Sequence, residues 1–153
     1  MKKITLCMAA FLISAALILP SLSSCKKDSP KSKTDFLTKA NWKIVKSESR
    51  AGTGAWVDHT SSVPCEIDDY VVFRTNGTYE SNEGATKCSP GDPQIIETGT
   101  WAFMTNETQL ATTPSGSTAL VIDINQLDEN TLVVVLSFSN GGVTYYDRTT
   151  FGH

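Results

Sequence analysis

The chain has 153 residues, of which 40% are hydrophobic and 19% charged, with a formal net charge of −3. That length leaves room for one globular domain beside any segment that is removed or tethering, and excludes two independent cores. The charge is unevenly placed: from Thr34 onward seven Lys and Arg stand against fifteen Asp and Glu, an acidic body that argues against nucleic-acid binding, which needs a basic face for phosphates.

Met1-Lys2-Lys3 is a short basic region, and Ile4 to Leu19 is an almost unbroken apolar run that Pro20 ends. At about 1.5 Å per residue such a helix would reach roughly 24 Å, short of the ~30 Å hydrocarbon core, so a removable secretory leader is expected rather than a permanent span. The residues after it, Leu22-Ser23-Ser24-Cys25, resemble the lipobox of bacterial lipoproteins: an aliphatic residue, two small ones, and the cysteine that receives the lipid. The resemblance implies a signal peptide over 1–24, cleavage before Cys25, and acyl chains such as palmitate on Cys25. Two or three chains hold a protein on a bilayer stably where one is marginal. The expected location is the cell envelope, anchored in the outer membrane and facing the periplasm or the cell surface.

Lys26 to Lys33 holds four lysines and no apolar residue, so 25–33 reads as a lipidated cysteine and flexible tether. The folded domain is expected over 34–153. With Cys7 in the leader and Cys25 acylated, Cys65 and Cys88 remain, and in an oxidising compartment they are expected to form a disulfide. A metal site would need a Cys-x-x-Cys pair or spaced histidines, whereas His59 and His153 each stand alone. No metal and no cofactor is expected.

Thr34 to Ala40 predicts one short helical turn, with Thr34 as its N-cap, closing one end of the domain. Trp42 and Ile44 alternate with lysines, as in a half-buried strand. Ala51 to Pro64 is a Gly-, Ser- and Thr-rich connection in which Ala55-Trp56-Val57 suggests a short strand. Between the two cysteines, Asp69 to Arg74 reads as a strand, Asn76-Gly77 as a turn, and Thr78-Tyr79-Glu80 as the returning strand. A three-residue loop with Gly77 left-handed would set Phe73 opposite Tyr79 and keep both aromatics on one face; a one-residue slip would bury a carboxylate instead.

Glu83 to Pro93 is loop chemistry. Ile95 to Phe103 then places Ile95, Trp101 and Phe103 on one side, with Gly99 marking a bend or a close backbone approach. Thr108–Thr112, Ala119–Ile124, Thr131–Phe138 and Val143–Phe151 complete about eight strands. With no helical period between them, an all-β antiparallel meander is favoured over a parallel sheet, and closing it into an up-and-down barrel removes the unpaired edges. Inward candidates are Trp42, Ile44, Phe73, Tyr79, Trp101, Phe103, Leu120, Ile122, Leu132, Val134, Leu136 and Tyr145. Two outcomes are open: these side chains fill the barrel, or they leave a chamber for one small ligand.

The succession Asn41-Trp42-Lys43, Cys65, Asp68-Asp69, Phe73 to Tyr79, Cys88 and Gly99-Thr100-Trp101 is similar to lipocalin-like domains found on Gram-negative lipoproteins. It covers about residues 35 to 151. The resemblance implies an eight-stranded barrel and a small hydrophobic ligand held by interior residues, for which Trp42, Ile44, Phe73, Tyr79, Trp101, Phe103, Leu136 and Tyr145 are the candidates. In true lipocalins a late arginine packs on the first-strand tryptophan, which would set Arg148 against Trp42; Ala40 stands where true lipocalins have glycine.

Enzyme signals are weak. Gly-x-Ser-x-Gly is absent, and His59 lies in a polar loop. Asp68 and Asp69 are adjacent on extended chain and so point to opposite faces, which disfavours a carboxylate pair and favours hydrogen bonding at the start of the strand. The stretch from Asp123 departs from a calcium loop, with Asp128 at its sixth position and Val134 at its twelfth. The sequence therefore points to a non-enzymatic binding protein, or alternatively to an interaction or inhibitor module that uses the loops Ala51–Pro64 and Glu83–Pro93.

Overall fold

In the computed structural model, residues 30–153 are described; the leader and Cys25 lie outside the described residues. A short helix α1 (Lys33–Leu37) precedes nine strands: β1 (Asn41–Ala51), β2 (Val57–Asp58), β3 (Tyr70–Phe73), β4 (Thr78–Asn82), β5 (Ile95–Met104), β6 (Gln109–Pro114), β7 (Leu120–Leu127), β8 (Leu132–Asn140) and β9 (Val143–Gly152). Apart from β2, each strand pairs antiparallel with the next, and β9 returns to β1 from Lys43↔Gly152 to Ala51↔Tyr145. The result is a closed eight-stranded antiparallel barrel. β2 adds only two residues to β1, at Glu48 and Ser49.

The β3–β4 hairpin has the expected register, Phe73 opposite Tyr79. Arg74 N donates to Thr78 O (2.8 Å) and Gly77 N to Arg74 O (2.9 Å). Gly77 takes φ 80°, a left-handed conformation that costs glycine nothing sterically. The slip is thereby avoided: Glu80 lies on the outer face, where its Oε2 accepts from Arg74 Nη2 (3.0 Å).

Cross-strand pairs share a face, so the inner surface can be followed round the barrel from Trp42. Trp42 opposes Val71, Phe73 opposes Tyr79, and Tyr79 opposes Gly99. Phe103 then opposes Leu110, Leu110 opposes Ile122, Ile124 opposes Val134, and Leu132 opposes Phe151. Every inward candidate lies on this surface, but Ile95, expected on the same side as Trp101 and Phe103, does not. A bulge after Ser81 leaves Ile96 unpaired and sets Ile95 opposite Asn82, on the outside. The extra residue reverses the alternation along the strand.

Gly99 sits at a close approach of β5 to its neighbours: an added Cβ would overlap the Thr113 carbonyl oxygen and lie 2.6 Å from the Tyr79 ring. The aromatic core forms around that bend. Phe73 meets Trp101 edge-on at 6.0 Å and Trp101 meets Phe103 edge-on at 5.4 Å, the geometry that ring quadrupoles favour.

Helix α1 plugs one end. Its N-cap is Ser32, not Thr34 as the sequence suggests: Asp35 N donates to Ser32 Oγ (3.1 Å) and Ser32 N to Asp35 Oδ2 (2.7 Å). Only Ser32 has an acid three positions on, and that reciprocal box satisfies two free donors. Leu37 is fully buried against the barrel floor, and its carbonyl accepts from Trp42 Nε1 (2.8 Å).

Candidate functional site

The two ends of the barrel differ in chemistry. At the end closed by α1, Leu37, Trp42, Phe73, Tyr79, Leu110, Leu132 and Val134 are buried together, and Trp101 and Phe103 pack on them partly buried. His153 covers Trp42, with ring centroids 4.3 Å apart. Burial and a 2.5 Å hydrogen bond to Glu97 Oε1 push the Tyr79 hydroxyl well above the ordinary phenol range, so it stays protonated. Of the eight residues proposed as ligand contacts, these five aromatics therefore form packed floor.

Leu136 and Tyr145 line the opposite half, where the inner wall is not filled. Phe138 pairs with Tyr145 across β8 and β9, and their rings stack at 5.4 Å. On the same inward face, Phe138 is 47% exposed, Leu120 44% and Val143 41%. The adjoining arc, along β9 and β1, is polar, from the inward pairs Ser47↔Thr149 and Ser49↔Asp147. The mouth thus presents an apolar, aromatic arc beside a polar one made of hydroxyls and the Asp147 carboxylate.

The rim is braced. The Cys65–Cys88 disulfide, with Cα atoms 5.0 Å apart, joins the connection before β3 to the connection between β4 and β5. Next to it, Asp68 Oδ2 accepts from the backbone N–H groups of Ala85 (2.8 Å) and Thr86 (3.0 Å), which hold its carboxyl below the ordinary aspartate range. Hydrogen bonding at the start of β3 is thus the use made of Asp68.

Arg148 does not meet Trp42. The register places it outward, opposite Glu48 and Val135, whereas Trp42 points in, and His153 takes the expected place on the ring. Arg148 instead donates from Nε (2.9 Å) and Nη2 (2.7 Å) to Glu48 Oε2 and lies over Trp56. Glu48 is buried, and Lys46 and Arg148 hold its carboxyl below the ordinary glutamate range.

Ile44 is the other departure. It faces Phe151 yet is 50% exposed, because β1 has no strand along one edge beyond Lys43 until Glu48. Two adjoining cavities occupy this gap, of about 290 Å³ and 110 Å³. A larger concavity of about 530 Å³ lies on the outer face, where Arg74, Thr78, Thr98, Thr100 and Thr113 are among its lining residues. Nothing in the local sequence of Ile44 marks the gap; it arises from the length of the connection 59–69.

Ser49 Oγ and His59 Nε2 lie 2.7 Å apart, but among the described residues no carboxylate orients the other imidazole nitrogen, as a nucleophile–base pair requires. Among the described residues no group of three His, Cys, Asp or Glu side chains is placed to hold a metal ion, and no helix is long and apolar enough to cross a membrane.

No curated protein matches the chain. A family model described as a lipocalin-like domain matches residues 38–134, from the end of the helical plug to the first residues of β8. With the closed eight-stranded barrel, that match over more than half of its length shows that the chain belongs to the lipocalin-like domain family.

Proposed function

We propose that this protein is a lipid-anchored lipoprotein of the Gram-negative cell envelope whose barrel holds a small hydrophobic molecule in its mouth. The observation that carries the reading is the contrast between the two halves: the floor is packed, while Leu120, Phe138 and Val143 face inward and stay half exposed. A monomer gains by covering such a wall, since burial stabilises by about 25 cal/mol per Å² of apolar area. A small-molecule site is mostly apolar with a few polar groups to orient its guest, which the Ser47, Ser49 and Asp147 side supplies.

The anchor is read from Leu22-Ser23-Ser24-Cys25. The orientation it would impose favours the mouth as the working end. Lys31 pairs with Glu129 (2.7 Å) in the β7–β8 turn, at the plugged end. Lys31 is six positions after Cys25, at most about 20 Å of chain, so the plugged end would face the bilayer and the mouth would face away. The reading includes neither catalysis nor a cofactor.

Native mass spectrometry of the full-length protein extracted from its source membrane tests the carrier role: a co-purifying small molecule is expected, lost on Phe138→Asp. Repeated absence of any bound mass would overturn it. A Cys25→Ser variant should leave the membrane fraction, and retention there would overturn the anchor. The braced rim loops favour a second reading, a protein-interaction module; with no small molecule bound, a protein crosslinked to 52–64 or 83–93 would support it.

A further inference from the structure

The side opening in the barrel wall has a chemistry of its own. Its outer cavity is lined by Ile44, Ser47, His59, Glu66, Ile67 and Asp69, and its inner one reaches Trp42, Val71, Ser81 and Phe151. Ile44 and Asp69 belong to both, so the two form one passage from solvent to the edge of the core. The passage carries two carboxylates and no Lys or Arg.

Asp69 Oδ1 is fully enclosed and has no hydrogen-bond partner. Buried polar groups are ordinarily paired, and an unpaired charge is far costlier than an unpaired amide. Desolvation, with Glu83, Asp68 and Glu66 nearby, pushes its carboxyl above the ordinary aspartate range. The site lacks a donor, and positive charge is what it would stabilise most.

We propose that this opening binds a small amphiphilic cation, a primary alkylamine whose ammonium group meets Asp69 and Glu66 while its chain lies between Trp42, Val71 and Phe151. The inner cavity of about 110 Å³ is smaller than the about 150 Å³ that accommodates a benzene ring, so a fused ring system does not enter it, and a flexible alkyl chain lies partly there and partly in the outer cavity of about 290 Å³. An ammonium in the passage offsets the negative field of Asp69 and Glu66, whereas a carboxylate of the same length meets repulsion. The passage is separate from the mouth: Phe138 and Tyr145 line neither cavity.

The test is calorimetric titration of the full chain near neutral pH with hexylamine, hexanol and hexanoate. Hexylamine should bind about tenfold more tightly than hexanol, equivalent to about 1.4 kcal/mol, and hexanoate more weakly than either. Asp69→Asn should bring amine and alcohol within about twofold; Glu66→Gln, at the solvent end, should narrow the gap in part. Ile44→Trp should fill the passage and abolish binding of both. Equal binding of amine and alcohol by the unmodified protein, or an undiminished amine preference in both acid variants, overturns the proposal. Either result is distinguishable from failure of the mouth's guest: Ser47 borders both places, but the mouth is read from Leu120, Phe138 and Val143, which line neither cavity, and is tested by Phe138→Asp.

Discussion

The guanidinium of Arg148 lies 4.1 Å from the centre of the Trp56 ring, on the outside of the barrel. Arg50 approaches the same ring at 4.6 Å and the Tyr146 ring at 4.7 Å. One tryptophan from an irregular connection thus pins that connection to β1 and β9. Trp56→Ala should cost about 1–2 kcal/mol in urea unfolding, the range for two partly desolvated cation–π contacts, and should speed proteolysis between Gly52 and Thr60. A loss near zero would mean that the backbone pairing of β2 suffices.

The disulfide closes a loop with a sequence separation of 23. Constraint of the unfolded chain gives about 3.5 kcal/mol for a loop of that size. Cys65→Ser with Cys88→Ser should lower the unfolding free energy by about that amount. Asp68 still braces the rim, so circular dichroism should keep its strand signature below the midpoint. An unchanged midpoint would show that the constraint on the unfolded chain is offset in the native state.

At Gly99 a methyl group has no room, since the obstacle on one side is the Thr113 backbone. Overpacking of this kind costs about 1–3 kcal/mol. Gly99→Ala should therefore destabilise in denaturant titration although alanine suits a strand no worse than glycine. An unchanged midpoint would imply that β5 and β6 can part at no cost.

Asp69 gives a pH dependence of opposite sign to most acids here. Its folded-state carboxyl titrates above the ordinary aspartate value, so the fold prefers the protonated form. The contribution of this group is fully present below the unfolded value and is lost as pH rises through the folded one. Asp69→Asn should raise the thermal midpoint at neutral pH, with the advantage shrinking as the medium is acidified toward the ordinary aspartate range. Glu48, Asp68 and Glu129 are shifted downward and destabilise both proteins in acid, so the difference between the two isolates Asp69. A constant difference across the titration would contradict the assignment.

Much of the barrel was legible because alternation is a local property. Trp42, Phe73, Tyr79, Trp101 and Phe103 each sit in short runs whose inward side is set by their neighbours, and Asn76-Gly77 dictates its turn from two residues. Bulges escape such reading. Nothing around Ile96 announces the extra residue that turns Ile95 outward, and the bulge at Val45 likewise carries no composition signal. The partners of Arg148 were not legible either: whether an arginine meets Trp42 or Trp56 is decided by the side of the strand on which it emerges and by where a distant connection folds. The passage beside Ile44 is a property of what is missing along β1, which alternation cannot register.

The seam between β9 and β1 has a consequence for biogenesis. The strand nearest the carboxyl end completes a cylinder that begins about a hundred positions earlier, and contacts of such separation make for slow folding. Until Val143 to Gly152 has emerged, β1 and β8 each expose a raw border able to pair with another chain. Residues 38–134, the segment recognised as the family domain, lack the closing stave and would self-associate if produced alone.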